Sequence, residues 1–143
     1  MVATSPSTDT HAEAARTHAP EDLAERLRNE LHRLQRVSGF LAAAVSRRDG
    51  LPIEHTFPSP REAAALCATA AAVVGASLAA DEELQEGGFN HGIVQYRNST
   101  LVLAEAGPEA IVACLLESAS NVGYALLSIR EAARIVGAIM EEV

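Results

Sequence analysis

Eighteen consecutive residues without a charge, Ala63 to Ala80, read AAALCATAAAVVGASLAA and constrain this chain more than any other stretch. Alanine is the strongest helix former. Ser59, Pro60 and Glu62 stand just ahead of the run and supply an N-cap, a proline suited to the first turn and the acid of a capping box. The run is therefore read as a helix of about five turns. An ordinary surface helix carries one apolar stripe and a charged back, and this one has no charged back. Leu66, Val73, Val74 and Leu78 can pack on a core, while the opposite side is mostly methyl groups. A small domain cannot wrap a helix on every side. Burial of one side by the chain's own sheet and of the other by a second protein is the simplest solution, and it points to association rather than catalysis.

Composition narrows the function classes. The 143 residues suit one domain with one core. The net charge of −8 argues against nucleic-acid binding, which calls for a basic face. All 11 basic residues are Arg, so a Schiff-base lysine and a phosphate-loop lysine are excluded, and no GxxxxGK occurs. Cys67 and Cys114 lie far apart in apolar segments and read as small buried hydrophobes rather than a disulfide or zinc pair. No charged segment followed by an apolar one marks a signal peptide at the start. Gly75, Ser77 and Thr69 dilute the alanine run, which reads as too weakly hydrophobic for a membrane span. The expectation is a soluble, cytoplasmic protein.

Along the chain, residues 1–19 show no apolar period and read as a flexible tail. His11 and His18 there are incidental. Residues 20–143 form the domain. Pro20, Glu21 and Asp22 open a helix in which Leu23, Leu27, Leu31, Leu34 and Val37 make one apolar face, ended by Ser38-Gly39. Phe40 to Ser46 reads as a strand buried on both faces. Arg47 to Gly50 turns the chain into a partner strand, Leu51 to Phe57, placed at a sheet edge by Pro52. The long helix follows; the acids Asp81, Glu82 and Glu83 at its C-terminal end oppose the helix dipole and predict fraying. Then come His91 to Arg97, a turn at Asn98-Ser99, Thr100 to Ala106, a turn at Gly107-Pro108-Glu109, and Ala110 to Leu116, an antiparallel meander. Ser118 to Asn121 can cap a last helix with a stripe of Val122, Leu126, Ile129, Ala133, Val136 and Met140. The order α-β-β-α-β-β-β-α predicts an α+β sandwich, a five-stranded antiparallel sheet with helices.

The turn VSRRDGLPI (Val45 to Ile53), the capped small-residue helix, the strand pair HGIVQYRNSTLVLAEAG (His91 to Gly107) and the closing SNVGYALLSIREAARIV (Ser120 to Val136) resemble the roadblock/dynein light chain family. The resemblance covers about residues 20–142, and its nearest members are bacterial MglB-like GTPase regulators. It implies a profilin-like sheet of order β2-β1-β5-β4-β3, with the middle helix on one face and the terminal helices on the other. It further implies dimers in which β3 edges pair across a two-fold axis, extending the sheet, and the middle helices lie side by side. In such a homodimer the interface residues would be Ala65, Ala68, Ala72 and Ala76 on the helix and Ile93 and Gln95 on β3. The family has no catalytic centre of its own and binds small Ras-like GTPases as scaffold or activator. Here Arg61, Glu62, Ala65 and Thr69 would meet the GTPase.

Catalytic constellations are scarce. Ser/His/Asp partners such as Ser46, His91 and Asp49 exist, as in any chain this long, and no G-x-S-x-G, HExxH or glycine-rich phosphate loop appears. His55 and His91 read as structural. Glu82, Glu83 and Glu86 read as a solvated helix end. Arg47, Arg48, Arg61 and Arg97 are candidates for an arginine donated to a GTPase transition state, although family members are thought to act by rearranging the GTPase's own residues. No catalytic residue, metal or cofactor is expected. Two other classes stand beside the regulator: a nucleotide-blind structural adaptor, and a small-molecule sensor with a pocket between the sheet and the long helix.

Overall fold

A computed structural model describes residues 22–142. The tail expected over residues 1–19, with His11 and His18, lies outside the described residues. Helix α1 spans residues 22–34. There follow β1 (Phe40–Arg47), β2 (Pro52–His55), α2 (Pro60–Leu84), β3 (His91–Gln95), β4 (Ser99–Ala106), β5 (Ala110–Glu117) and α3 (Val122–Glu141). The strands form one antiparallel sheet of order β2-β1-β5-β4-β3, the α+β sandwich and order read from the sequence.

Successive residues of a strand point to opposite faces, and this chain uses both. Val102 and Ala104 of β4, with Val112, Cys114 and Leu116 of β5, join Leu27, Leu31 and Leu34 of α1 and Ile129 and Val136 of α3 in one core. The alternate residues Leu101, Leu103, Ile111 and Ala113 meet Leu66, Ala70 and Val74 of α2 in the other. Double-sided burial explains why β1, β4 and β5 read as near-continuous apolar runs. The Pro52 argument holds as well: among the described residues β2 pairs only with β1.

The β1–β2 connection closes through Gly50 N–H donating to the Arg47 carbonyl (3.0 Å) and Arg47 N–H donating to the Leu51 carbonyl (2.8 Å). Gly50 carries φ +95°, the left-handed position of a three-residue hairpin loop. Several details differ from expectation. β2 is shorter, because Thr56 leaves the ladder to bond Ala43 through both its backbone (2.9 Å) and its hydroxyl (3.0 Å). The β3–β4 turn has Arg97-Asn98 at its tip, with Tyr96 N–H donating to the Ser99 carbonyl (2.7 Å), so Ser99 already belongs to β4. α2 is not frayed through its acidic end: it runs to Leu84, Gln85 adopts a left-handed conformation, and the Asp81 carboxylate accepts from the N–H groups of Glu86 (2.9 Å) and Gly88 (3.0 Å). In α3 the fully buried line is Ala125, Ile129, Ala132, Ala133, Val136, Gly137 and Ile139, while Val122, Leu126 and Met140 flank it. The helix is rotated to set its small residues down: a Cβ on Gly137 would come within 3.0 Å of the Gly107 nitrogen.

By length and composition alone α2 could cross a membrane, with a mean hydropathy of 1.9, which corrects the reading of the run as too weakly apolar. In this fold it is instead the outer layer of the sandwich on its face of the sheet. Only 22% of that apolar window is buried.

Candidate functional site

The site is the outward side of α2. Helix formation begins at Ser59, whose hydroxyl accepts from Glu62 N–H (3.2 Å) and donates to the Glu62 carboxylate (3.0 Å). Ala63, Leu66, Cys67, Ala70 and Val74 turn inward. That leaves Ala65, Ala68, Ala72 and Ala76 exposed, together with Ala79. The result is a flat, methyl-covered face without a charge between Glu62 and Asp81. Such a face desolvates at little cost and lets a second helix approach closely.

Of the residues expected to meet a GTPase, Arg61 and Glu62 are exposed at the N-terminal end of this face, beside Ala65. The Glu62 carboxylate is already held by the cap. Thr69 is half-buried, and its hydroxyl donates to the Ala65 carbonyl (3.0 Å), which leaves its methyl as the contact surface. On β3, Ile93 is 45% exposed and Gln95 is exposed. Their cross-strand partners are Val102 and Thr100, so both side chains point to the α3 side of the sheet, away from α2. Val94 and Gly92 take the α2 side, and a Cβ on Gly92 would lie 3.1 Å from Val73. Among the described residues β3 pairs only with β4, so its outer edge presents unpaired backbone groups of the kind that templates strand addition. The α2 face and Ile93 are thus not adjacent side-chain patches; the strand's edge links them.

The catalytic candidates disperse. Ser46 is buried, with its hydroxyl donating to the Arg47 carbonyl (2.7 Å). Asp49 pairs with Arg47 (3.3 Å) and accepts from Leu51 N–H (3.1 Å). His91 sits on the opposite edge strand, three strands and about 14 Å away by strand spacing. His55 accepts from Phe57 N–H at Nδ1 (3.1 Å), a structural role. Burial pushes the Cys114 thiol up to about 12 and raises Cys67 as well, partly offset by a hydrogen bond with Ser46; raised thiols are poor nucleophiles. Among the arginines, Arg48 is an ion-pair partner of Glu105 and is held against the turn before β5, so it is not free to reach a partner. Arg61 and Arg97 are exposed. The interior expected for a sensor pocket is occupied, because Leu66, Ala70 and Val74 meet the sheet directly.

Sequence reasoning missed several features. Ala79 extends the exposed line of α2. Tyr124 and Leu127 are 62% and 67% exposed on α3 beside a groove of about 610 Å³ between α1 and α3; both lie off the apolar stripe, which was the available signal. The half-buried Arg48–Glu105 pair joins the β1–β2 turn to the end of β4, distant in sequence, and left no local trace.

A family model, the Roadblock/LC7 domain, matches residues 27–116. A comparison with curated proteins gives no match. Among solved structures, "MglB with tetrameric arrangement" is 25% identical, covers 84% of this chain and 91% of its own, and superposes with a TM-score of 0.75. The gliding protein MglB from Thermus thermophilus is 24% identical over 85% of this chain and 93% of its own, again with a TM-score of 0.75. Profilin IA from Acanthamoeba castellanii shares the fold more distantly, at 11% identity over 80% of this chain and 96% of its own, with a TM-score of 0.50.

Proposed function

The chain belongs to the Roadblock/LC7 domain family, and from that premise we propose that it is a non-catalytic, cytoplasmic homodimer that binds a small Ras-like GTPase and modulates its nucleotide cycle. The observation that carries the reading is the bare outer face of α2. A soluble monomer gains nothing from an uncharged helix back, whereas a dimer buries it. Ala65, Ala68, Ala72 and Ala76 form that contact, and the free β3 edge at Ile93 and Gln95 extends the sheet into the second copy. The exposed N-terminal half, Arg61, Glu62, Ala65 and Thr69, then faces the GTPase from the paired helices. The likeness to MglB proteins supports the regulatory class, and Ras-like GTPase binding comes from the family resemblance.

The test is a pull-down from lysate of the source cell, with this protein as bait and either a GTP analogue or GDP present, followed by identification of the bound proteins and hydrolysis assays on any GTPase recovered. A Ras-like GTPase enriched with the analogue is the expected result. Equal recovery in both states would make the protein a nucleotide-blind adaptor. Failure to recover a GTPase in either state would remove the regulatory reading.

A further inference from the structure

The far side of the sheet from α2 carries a second feature. Arg26 near the start of α1 is bonded to Glu142 just past α3, so the two helices run antiparallel and are tied at that end. Toward the other end they part into the groove of about 610 Å³. Leu34 and Val37 form its apolar floor. Tyr124 and Leu127, one turn apart on α3, stand exposed on its wall. Glu30 also lines it, and its side chain is only 8% exposed. The one ion-pair partner of Glu30 among the described residues is Arg33, whose Nε lies 3.7 Å away, beyond hydrogen-bond reach. A carboxylate so deeply set, without a close donor, is a costly thing to leave unanswered.

We infer that this groove is a docking site for an amphipathic helix of a second protein, one that lays apolar side chains against Tyr124 and Leu127 and brings a Lys or Arg to Glu30. Both walls of the groove are built largely from helices, which satisfy their own backbone groups. An extended segment would find no ladder there and would leave its N–H and C=O groups unpaired, whereas a helix carries its own hydrogen bonds. The α3 wall from Tyr124 to Ile135 is about 16 Å long, room for a guest of about three turns. Glu30 fixes the sign of the buried anchor, and the net charge of −8 draws a cationic helix toward this chain. On the rim, Arg36 has no ion-pair partner among the described residues, while Glu131 is held by Arg134. The guest therefore presents an acid toward Arg36 and keeps its one cation for the floor. Because α2 packs on the opposite face of the sheet, the groove stays open whether or not α2 is covered, and the inference stands independently of the self-association and GTPase binding proposed above.

The probe is a library of random peptides displayed on phage, each long enough for three helical turns, selected on the full-length protein. Soluble Leu127→Glu protein in excess removes peptides that bind elsewhere; Leu127 is exposed, so this variant keeps its fold. Survivors are expected to share apolar residues at steps of three and four with one Lys or Arg among them, and to gain helical circular dichroism on binding. Calorimetry then pairs Glu30→Gln in the protein with Lys→Gln or Arg→Gln in the peptide. Each change alone should weaken binding about tenfold, and the two together little more than either, because they remove the same charged hydrogen bond. An empty selection, survivors without helical spacing or a cation, or additive effects of the two changes would overturn the proposal. A synthetic peptide of residues 1–21 that binds as tightly as the survivors would make the chain's own start the occupant. A lighter particle for Leu127→Glu than for wild type in sedimentation would make it a second copy. Either result also overturns the inference.

Discussion

At the residue scale the informative side chains are those that do a local job composition does not reveal. Asp81 is one of the acids expected to fray α2, yet its carboxylate closes the chain reversal after the helix by accepting from Glu86 and Gly88. Asp81→Ala is expected to cost about 1 kcal/mol, the usual worth of lost hydrogen bonds at a helix end, and to speed amide exchange over residues 81–88. Ala72 is the opposite case, a residue with nothing to do in a monomer. Ala72→Glu leaves the isolated fold unchanged but puts an unpaired charge at the centre of the proposed interface, a penalty of several kcal/mol. Light scattering should therefore report monomer for this variant, at concentrations where wild type is dimeric, with unaltered circular dichroism. A dimer that survives Ala72→Glu would show that another surface mediates association.

Elements are positioned here by small residues as much as by large ones. Gly137 allows α3 to lie against the turn before β5, and its closest neighbours are backbone atoms that cannot turn aside. Gly137→Ala improves helix propensity by about 1 kcal/mol, but the clash outweighs that gain. A net loss of about 1–3 kcal/mol, typical of overpacking, is expected in urea unfolding. Gly92 does the same for α2 over β3, with Val73 above it. Gly92→Val should loosen that contact and lower the melting temperature without changing the sheet order.

For the whole molecule, the terminal helices close the sandwich through the bidentate pair between Arg26 and Glu142, at 3.0 and 2.9 Å. The hydrogen bond and charge of Arg26 hold the Glu142 carboxyl below its ordinary value near 4.5. A carboxyl depressed in the folded state stabilises the fold above its unfolded pKa and loses that contribution as pH falls through the folded value. The pair should therefore hold α1 to α3 at neutral pH and release in the acid range below 4.5. Glu142→Gln removes this pH dependence, which a series of melting temperatures from neutral to acid pH would record. Both side chains are solvent-exposed, so the effect is small and fades with salt.

Periodicity and capping are local properties, and they were enough to read α1, the start of α2, the five strands and the sandwich they form. Leu27, Leu31 and Leu34 mark their helix because each turn repeats the same chemical demand, and Pro52 marks an edge because a missing N–H cannot join a ladder. The alanine run likewise announced a helix with a bare side before any neighbour was known. Tertiary structure alone decided the rotation of α3 onto Ala125, Ala132 and Gly137, the sequestering of Arg48 by Glu105, and the turning of Ile93 away from α2. These depend on which backbone lies opposite at van der Waals distance, and residues far apart in the chain set that distance. Which methyl groups of the alanine run stay bare became visible only once packing had shown which ones the fold itself covers.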